Sequence, residues 1–159
     1  MKPKPMRLTP LDNRSLFFRD SVTGLVWHQT TSRVLYADTD RSGAVYHSHY
    51  LRYFEQGRTA LMRDLDHPYR QVEESGYIYP VIKTGLDYYD LLTYDDVLGI
   101  FTRPGLLERV RVTFNYVITK SDNPRIVCQG FTQHCALNQA RVPVAVDALT
   151  LQAWRCFPR

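Results

Sequence analysis

The stretch from Arg109 to Ile118 leaves little choice of local structure. Val110, Val112, Phe114, Tyr116 and Ile118 alternate with Arg109, Arg111, Thr113 and Asn115. Side chains on an extended strand point to opposite faces in turn, so this period of two predicts a strand with one apolar face. The neighbouring sequence offers more of the same. Val81–Tyr89 and Val97–Thr102 are rich in β-formers and separated by a polar turn at Thr93–Asp96. Ile126–Leu137 returns after the turn residues Ser121 to Pro124, and Thr31–Tyr36 suits a further strand nearer the N-terminus.

One segment breaks the pattern. Between Ser48 and Leu65, the residues Tyr50, Tyr53, Phe54, Gly57 and Leu61 fall on one stripe, with Arg52, Gln56, Thr59 and Arg63 elsewhere. That spacing predicts an amphipathic helix. A short helix is expected near Asp147–Trp154. One long helix among about five strands predicts an α+β fold, with the helix lying on one face of an antiparallel sheet. A single helix cannot cover a large sheet, so a dimer is expected. Residues 1–28 carry Pro3, Pro5 and Pro10 and keep no period. They read as an arm, loose or docked through Phe17, Phe18 or Trp27, ahead of one domain over residues 29–159.

Composition excludes several classes. The 159 residues leave room for one domain, and an apolar content of 44% supports a packed core. The formal net charge of +4 is spread along the chain, which argues against a nucleic-acid partner. Cys128, Cys135 and Cys156 lack C-x-x-C spacing, so neither a disulfide framework nor a thiolate metal site is expected. The basic start Met1–Arg7 has no apolar segment behind it, and no run nears the ~20 apolar residues of a membrane span. A cytoplasmic protein is expected.

The chemistry concentrates between Tyr36 and Arg58. Asp38 and Asp40 stand on a turn, followed by Gly43 and the start of the helix. A helix start presents N–H groups without internal partners and a partial positive charge. Such donors polarise a carbonyl oxygen and hold the oxyanion that forms on attack. A carboxylate just upstream can face the same carbon as nucleophile or general base. Attack on an acyl group is the reaction this order favours. Turn capping is the plainer role for Asp38, while for Asp40 the residues alone leave capping and chemistry both open.

The same residues partly trace a calcium loop, with Asp38, Asp40, Ser42, Gly43 and Val45 at positions 1, 3, 5, 6 and 8. Position 12 should then be Glu and is His49, and a strand precedes the loop where a helix is needed. His47 and His49, two residues apart, do not share a helix face. No metal is expected.

From Asp38 to Arg58 the chain resembles the signature of the 4-hydroxybenzoyl-CoA thioesterase family, in the style of the Tol-Pal-associated acyl-CoA thioesterases. The shared pattern is D-T-D-x-x-G-x-V-Y-H-x-x-Y, then an aromatic pair and E-x-x-R. The likeness runs from about Thr30 to Val146 and leaves residues 1–28 without a counterpart. It implies a hot-dog fold, a curved antiparallel sheet wrapped around the long helix. It also implies homodimers or homotetramers that hydrolyse acyl-CoA with neither cofactor nor metal. Asp40 takes the place of the catalytic carboxylate, attacking the carbonyl or activating water. His47 takes the helix-start position whose backbone N–H polarises the thioester carbonyl, with the imidazole assisting in His-bearing members. Tyr46 and Glu55 match positions that line the pocket or steady the helix.

Glu55 also invites a second reading, since other hot-dog thioesterases use a helix carboxylate as nucleophile; its plainer role is a pair with Arg58 at i+3. Arg109 and Arg111, with Arg125 and Arg141 behind them, are candidate partners for the phosphates of CoA. His134 is expected to complete a hydrogen bond in the sheet. Acyl carrier protein is an alternative carrier of the acyl group. The competing function is a non-catalytic acyl-CoA-binding or scaffolding hot-dog module, against which the conjunction of Asp40, Gly43 and His47 argues. A hot-dog dehydratase ranks last, because the D-T-D turn is not its pattern.

Overall fold

In the computed structural model, which describes residues 1–13 and 15–159, the alternating run forms β6, Arg111–Lys120. It lies between β5 (Val97–Leu107) and β7 (Asn123–Cys135), with β3 (Val26–Arg33) beside β5 and β4 (Val81–Tyr88) beside β7. β1 (Leu8–Pro10) and β2 (Phe17–Asp20) complete an antiparallel sheet of order β1-β2-β3-β5-β6-β7-β4. Seven strands replace the five or so expected. The additional two come from the N-terminal residues, where short edge pairing leaves no readable period, and Pro10 is tolerated because β1 is an edge strand. β3 also begins and ends earlier than the sequence suggests, and Tyr36–Asp38 is a single 3-10 turn.

The long helix, α1, spans Tyr50–Asp64 and buries the predicted stripe together with Met62. Phe54 stacks on Tyr116 of β6 with ring centroids 4.2 Å apart. Gly57 allows close approach to β5, where an added methyl would collide with Thr102 Oγ1 and Ile100 Cγ2. A short α2 (Tyr69–Glu74), which the sequence did not announce, follows. At the far end, α3 (Ala148–Cys156) is capped by Asp147, which accepts from the Thr150 N–H at 3.0 Å and the Thr150 hydroxyl at 2.7 Å. Ala153 and Phe157 join the core from this end of the chain.

The opposite face of the sheet is not bare. Met6, Trp27, Phe101 and Val117 form a second buried cluster. The Met6 N–H donates to the Pro124 carbonyl at 3.1 Å and the Arg7 N–H to Asp20 Oδ1 at 2.9 Å. The N-terminal residues therefore lie across the outer face, which is why Val117 is buried although it stands in the polar register of β6.

Two buried histidines make this fold acid-sensitive. His134 Nδ1–H donates to the Tyr79 carbonyl at 2.9 Å, leaving Nε2 to accept from Thr132 Oγ1 at 2.8 Å. Burial pushes its pKa down to about 4. His28, wholly buried, is also held below its ordinary value by desolvation, against the pull of Asp64 at 2.6 Å. Folding thus disfavours the charged form of both rings. As the pH falls below about 6.5, the unfolded chain takes up protons that the folded chain refuses. Stability is full above that value and declines toward pH 4, by up to ~1.4 kcal/mol per pH unit for His134, with His28 contributing in the same direction. Denaturant titrations across this range should show the decline, and His134→Gln should make it shallower.

Candidate active site

The turn that carries the two aspartates is built by its backbone. Asp40 N–H donates to Ala44 O and Gly43 N–H to Asp40 O, each at 2.9 Å, while Thr39 bridges Val45. Gly43 has φ +83°, a left-handed conformation that glycine adopts without a Cβ penalty. The Val45 N–H donates to Leu92 O at 2.8 Å and Ala44 bridges Thr93, which fastens the turn to the loop between β4 and β5.

The two carboxylates meet opposite surroundings. Asp40 is exposed, and its Oδ1 accepts from the Ser42 hydroxyl at 2.5 Å and the Ser42 N–H at 2.7 Å. The Ser42 hydroxyl, then its amide, hold the carboxyl below the usual carboxylate range, and the charge of nearby His47 adds to this. Asp38 is buried at 6% exposure. Its Oδ2 accepts from the Leu35 N–H at 3.0 Å and the Tyr53 hydroxyl at 2.9 Å, and its Oδ1 faces His49 Nδ1 at 3.2 Å. Desolvation pushes its pKa up, but the donors from Leu35, Tyr53 and His49 prevail and leave it below the ordinary value. As its sequence position suggested, Asp38 steadies the turn; its reach into α1 was not legible there.

A 3-10 turn, His47–His49, runs directly into α1. Tyr46 is 44% exposed, and its ring lies 4.2 Å from that of His47, centroid to centroid. Tyr88, at the end of β4, donates its hydroxyl to the His47 carbonyl at 2.8 Å and packs edge-on against Tyr50 at 5.2 Å. Nothing in the sequence linked Tyr88 to a turn some forty residues away.

Other candidates lie apart from this cluster. Glu55 is exposed on α1, 3.9 Å from Arg58, and borders a cavity of about 160 Å³ also lined by Tyr69, Phe114 and His134. At a helical rise of ~1.5 Å per residue it stands roughly 12 Å along the chain axis from His47. Arg109 and Arg111 are exposed where β5 passes into β6, whereas the aspartate turn is fastened beside the start of β5. The length of β5 separates them, roughly 30 Å at ~3.3 Å per residue. Among the described residues of one chain, Arg41 and Arg52 stand beside the turn, the latter 3.9 Å from Asp38 Oδ1. A concavity of about 780 Å³ is on the outer face between Lys4, Trp27 and Phe131, away from the turn. Among the described residues, no group of three or more His, Cys, Asp or Glu is arranged to hold a metal ion.

Comparison with known proteins gives a match of residues 34–153 to the thioesterase-like superfamily. A protein of Aquifex aeolicus is 32% identical over 110 residues, 69% of this chain and 84% of that protein. The acyl-CoA thioester hydrolase YbgC of Escherichia coli is 29% identical over 128 residues, 80% of this chain and 87% of the relative. A solved structure of a hypothetical protein from Aquifex aeolicus aligns with a TM-score of 0.74 at 29% identity, covering 79% of this chain and 98% of that one. The matched region contains the aspartate turn, α1 and the strands β4 to β7, and begins after β1, β2 and β3.

Proposed function

The chain belongs to the thioesterase-like superfamily and has its hot-dog fold, and we propose that it hydrolyses acyl-CoA thioesters with Asp40 as the essential carboxylate. The observation that carries this reading is an ionised, accessible carboxylate on a glycine-closed turn that leads straight into the N-terminal turn of α1. Both hydrogen bonds from Ser42 fall on Oδ1, which leaves Oδ2 to meet a substrate. The amide at His47 opens a helical segment that has no internal acceptor for it, and so suits a carbonyl oxygen gaining negative charge. A thioester asks for little more. The departing thiol has a pKa comparable to the ~8.5 of cysteine, so it leaves without a strong acid. Asp40 either attacks the carbonyl carbon, forming a mixed anhydride, or takes a proton from the attacking water.

Exposure of Asp40 in a single chain agrees with a site completed at a subunit boundary. β4 is an edge strand of eight residues whose Val81 and Ile82 are each 48% exposed. Exposed apolar edges of this length invite pairing. A second copy docked on β4 would sit next to Tyr88, which already touches His47. A homodimer joined at this edge is the assembly we propose, in the cytoplasm, where its three thiols stay reduced.

Asp40→Asn should lower turnover of acyl-CoA by about 10² or more with the fold intact. Glu55→Gln should leave it within a few-fold of wild type, because Glu55 stands with Arg58 at a cavity apart from the aspartate turn. Steady-state assays on both carriers, CoA and acyl carrier protein, check this. Binding of acyl-CoA without turnover, indifferent to residue 40, would identify a binding module instead. Light scattering should give a dimer, and Ile82→Lys on the edge should shift it toward monomer with activity down about tenfold. A fully active wild-type monomer would sink the boundary site.

A further inference from the structure

We propose that Asp38 is the positioning residue of this site, a buried carboxylate that holds the turn bearing Asp40 in register with the start and body of α1. The inference rests on the thioesterase reading above and adds a residue to it. Attack on a thioester carbon needs the Asp40 oxygen on one side and the His47 amide on the oxygen of the same carbonyl. Reacting atoms must lie within about 3–3.5 Å of each other, and an error near 1 Å can cost about 10² in rate. Backbone bonds close the turn that joins Asp40 to the residue before His47, and what they leave to be set is the placing of that turn against the body of α1.

The Asp38 side chain supplies the missing restraint. One oxygen gathers the Leu35 N–H at the strand exit and the Tyr53 hydroxyl from inside α1. The other faces His49 Nδ1 in the 3-10 turn that contains His47. Its backbone carbonyl accepts the Tyr46 N–H at 2.9 Å, closing the same turn from within. Three segments therefore converge on one residue. Taking a carboxylate out of water is costly, and an apolar residue would fill the space at lower cost if packing were all that was required. What a carboxylate offers here is directional: acceptors at fixed angles for three donors, with Arg52 at 3.9 Å outside them.

In this arrangement His49 serves as a donor to Asp38, and its imidazole carries no proton chemistry. Asn at position 49 can place a side-chain N–H near the position of Nδ1, while Ala cannot.

The test uses the full chain in its native assembly, with circular dichroism and melting curves to count folded protein. Asp38→Asn should lower kcat per folded molecule by about 10- to 100-fold and leave KM within about threefold. Tyr53→Phe, which removes one donor and keeps the packing, should give a smaller fall in kcat. The double variant should be no slower than Asp38→Asn alone, since the hydroxyl acts through the carboxylate. His49→Asn should stay near wild type and His49→Ala should fall with Tyr53→Phe. Wild-type kcat in folded Asp38→Asn overturns the proposal, as do losses that disappear once corrected for folded fraction, or strictly additive losses. His49→Asn as slow as His49→Ala also overturns it, because imidazole chemistry would then be at work. Asp40→Asn run beside them separates the two layers. If it is inert while Asp38→Asn is fully active, the positioning role alone fails; if it turns over normally, the reading of the site fails first.

Discussion

The close seating of α1 on the sheet is the contact from which the rest of the molecule takes its geometry. Gly57 brings the helix backbone against Ile100 and Thr102 of β5, and one turn earlier Phe54 lies flat on Tyr116 of β6. With these two contacts set, the axial position of the helix is fixed, and so is the point at which its first N–H groups emerge. A side chain at position 57 would lift the helix off β5. The core beneath would loosen, and the helix start would move away from the turn it has to meet. Packing density, a property of the interior, is here what sets where the helix start stands at the rim.

Two aspartates separated by a single residue show how surroundings divide labour between identical groups. Asp38 and Asp40 are both held below the ordinary carboxylate range. One reaches that state in spite of burial, through donors drawn from three segments, and is committed to them. The other reaches it at the surface through its own turn, with both Ser42 bonds on one oxygen. The first suits a fixed structural anion and the second a reactive one. Asp38 ends the 3-10 turn Tyr36–Asp38 and Asp40 opens the glycine-closed turn that follows, so the division comes from two successive turns and not from strand alternation, which would put residues i and i+2 on one side.

Much of this was legible in the residues because it depended on local periods. The alternation at 109–118 gave β6, the stripe from Tyr50 to Leu61 gave α1, and the Asp-rich, glycine-closed turn was visible with its place before the helix. What escaped had longer range. β1 and β2 are three and four residues long, too short to carry a period, and Pro10 of β1 reads as a breaker. Tyr88 meets His47, and Tyr53 meets Asp38, through the fold rather than through sequence spacing. Arg109 and Arg111 are attractive as cations in a list of residues, yet the length of β5 sets them at the far end of the sheet from the turn. A run of sequence records which face a side chain takes, and says little about which end of a strand a partner occupies.

The N-terminal residues change what can be cut from this protein. Residues 34–153, the part shared with the superfamily, look like a self-sufficient unit, but Met6 closes the cluster over Phe101 and Val117 with Trp27 of β3. Trimming the chain to the shared part would take away Met6 and Trp27 together and strip β5 of its neighbour β3. The remainder would present a greasy back and an open backbone ladder to water, two properties that drive precipitation. The leading segment is thus a lining for the shell it covers, and the shell was shaped with that lining in place.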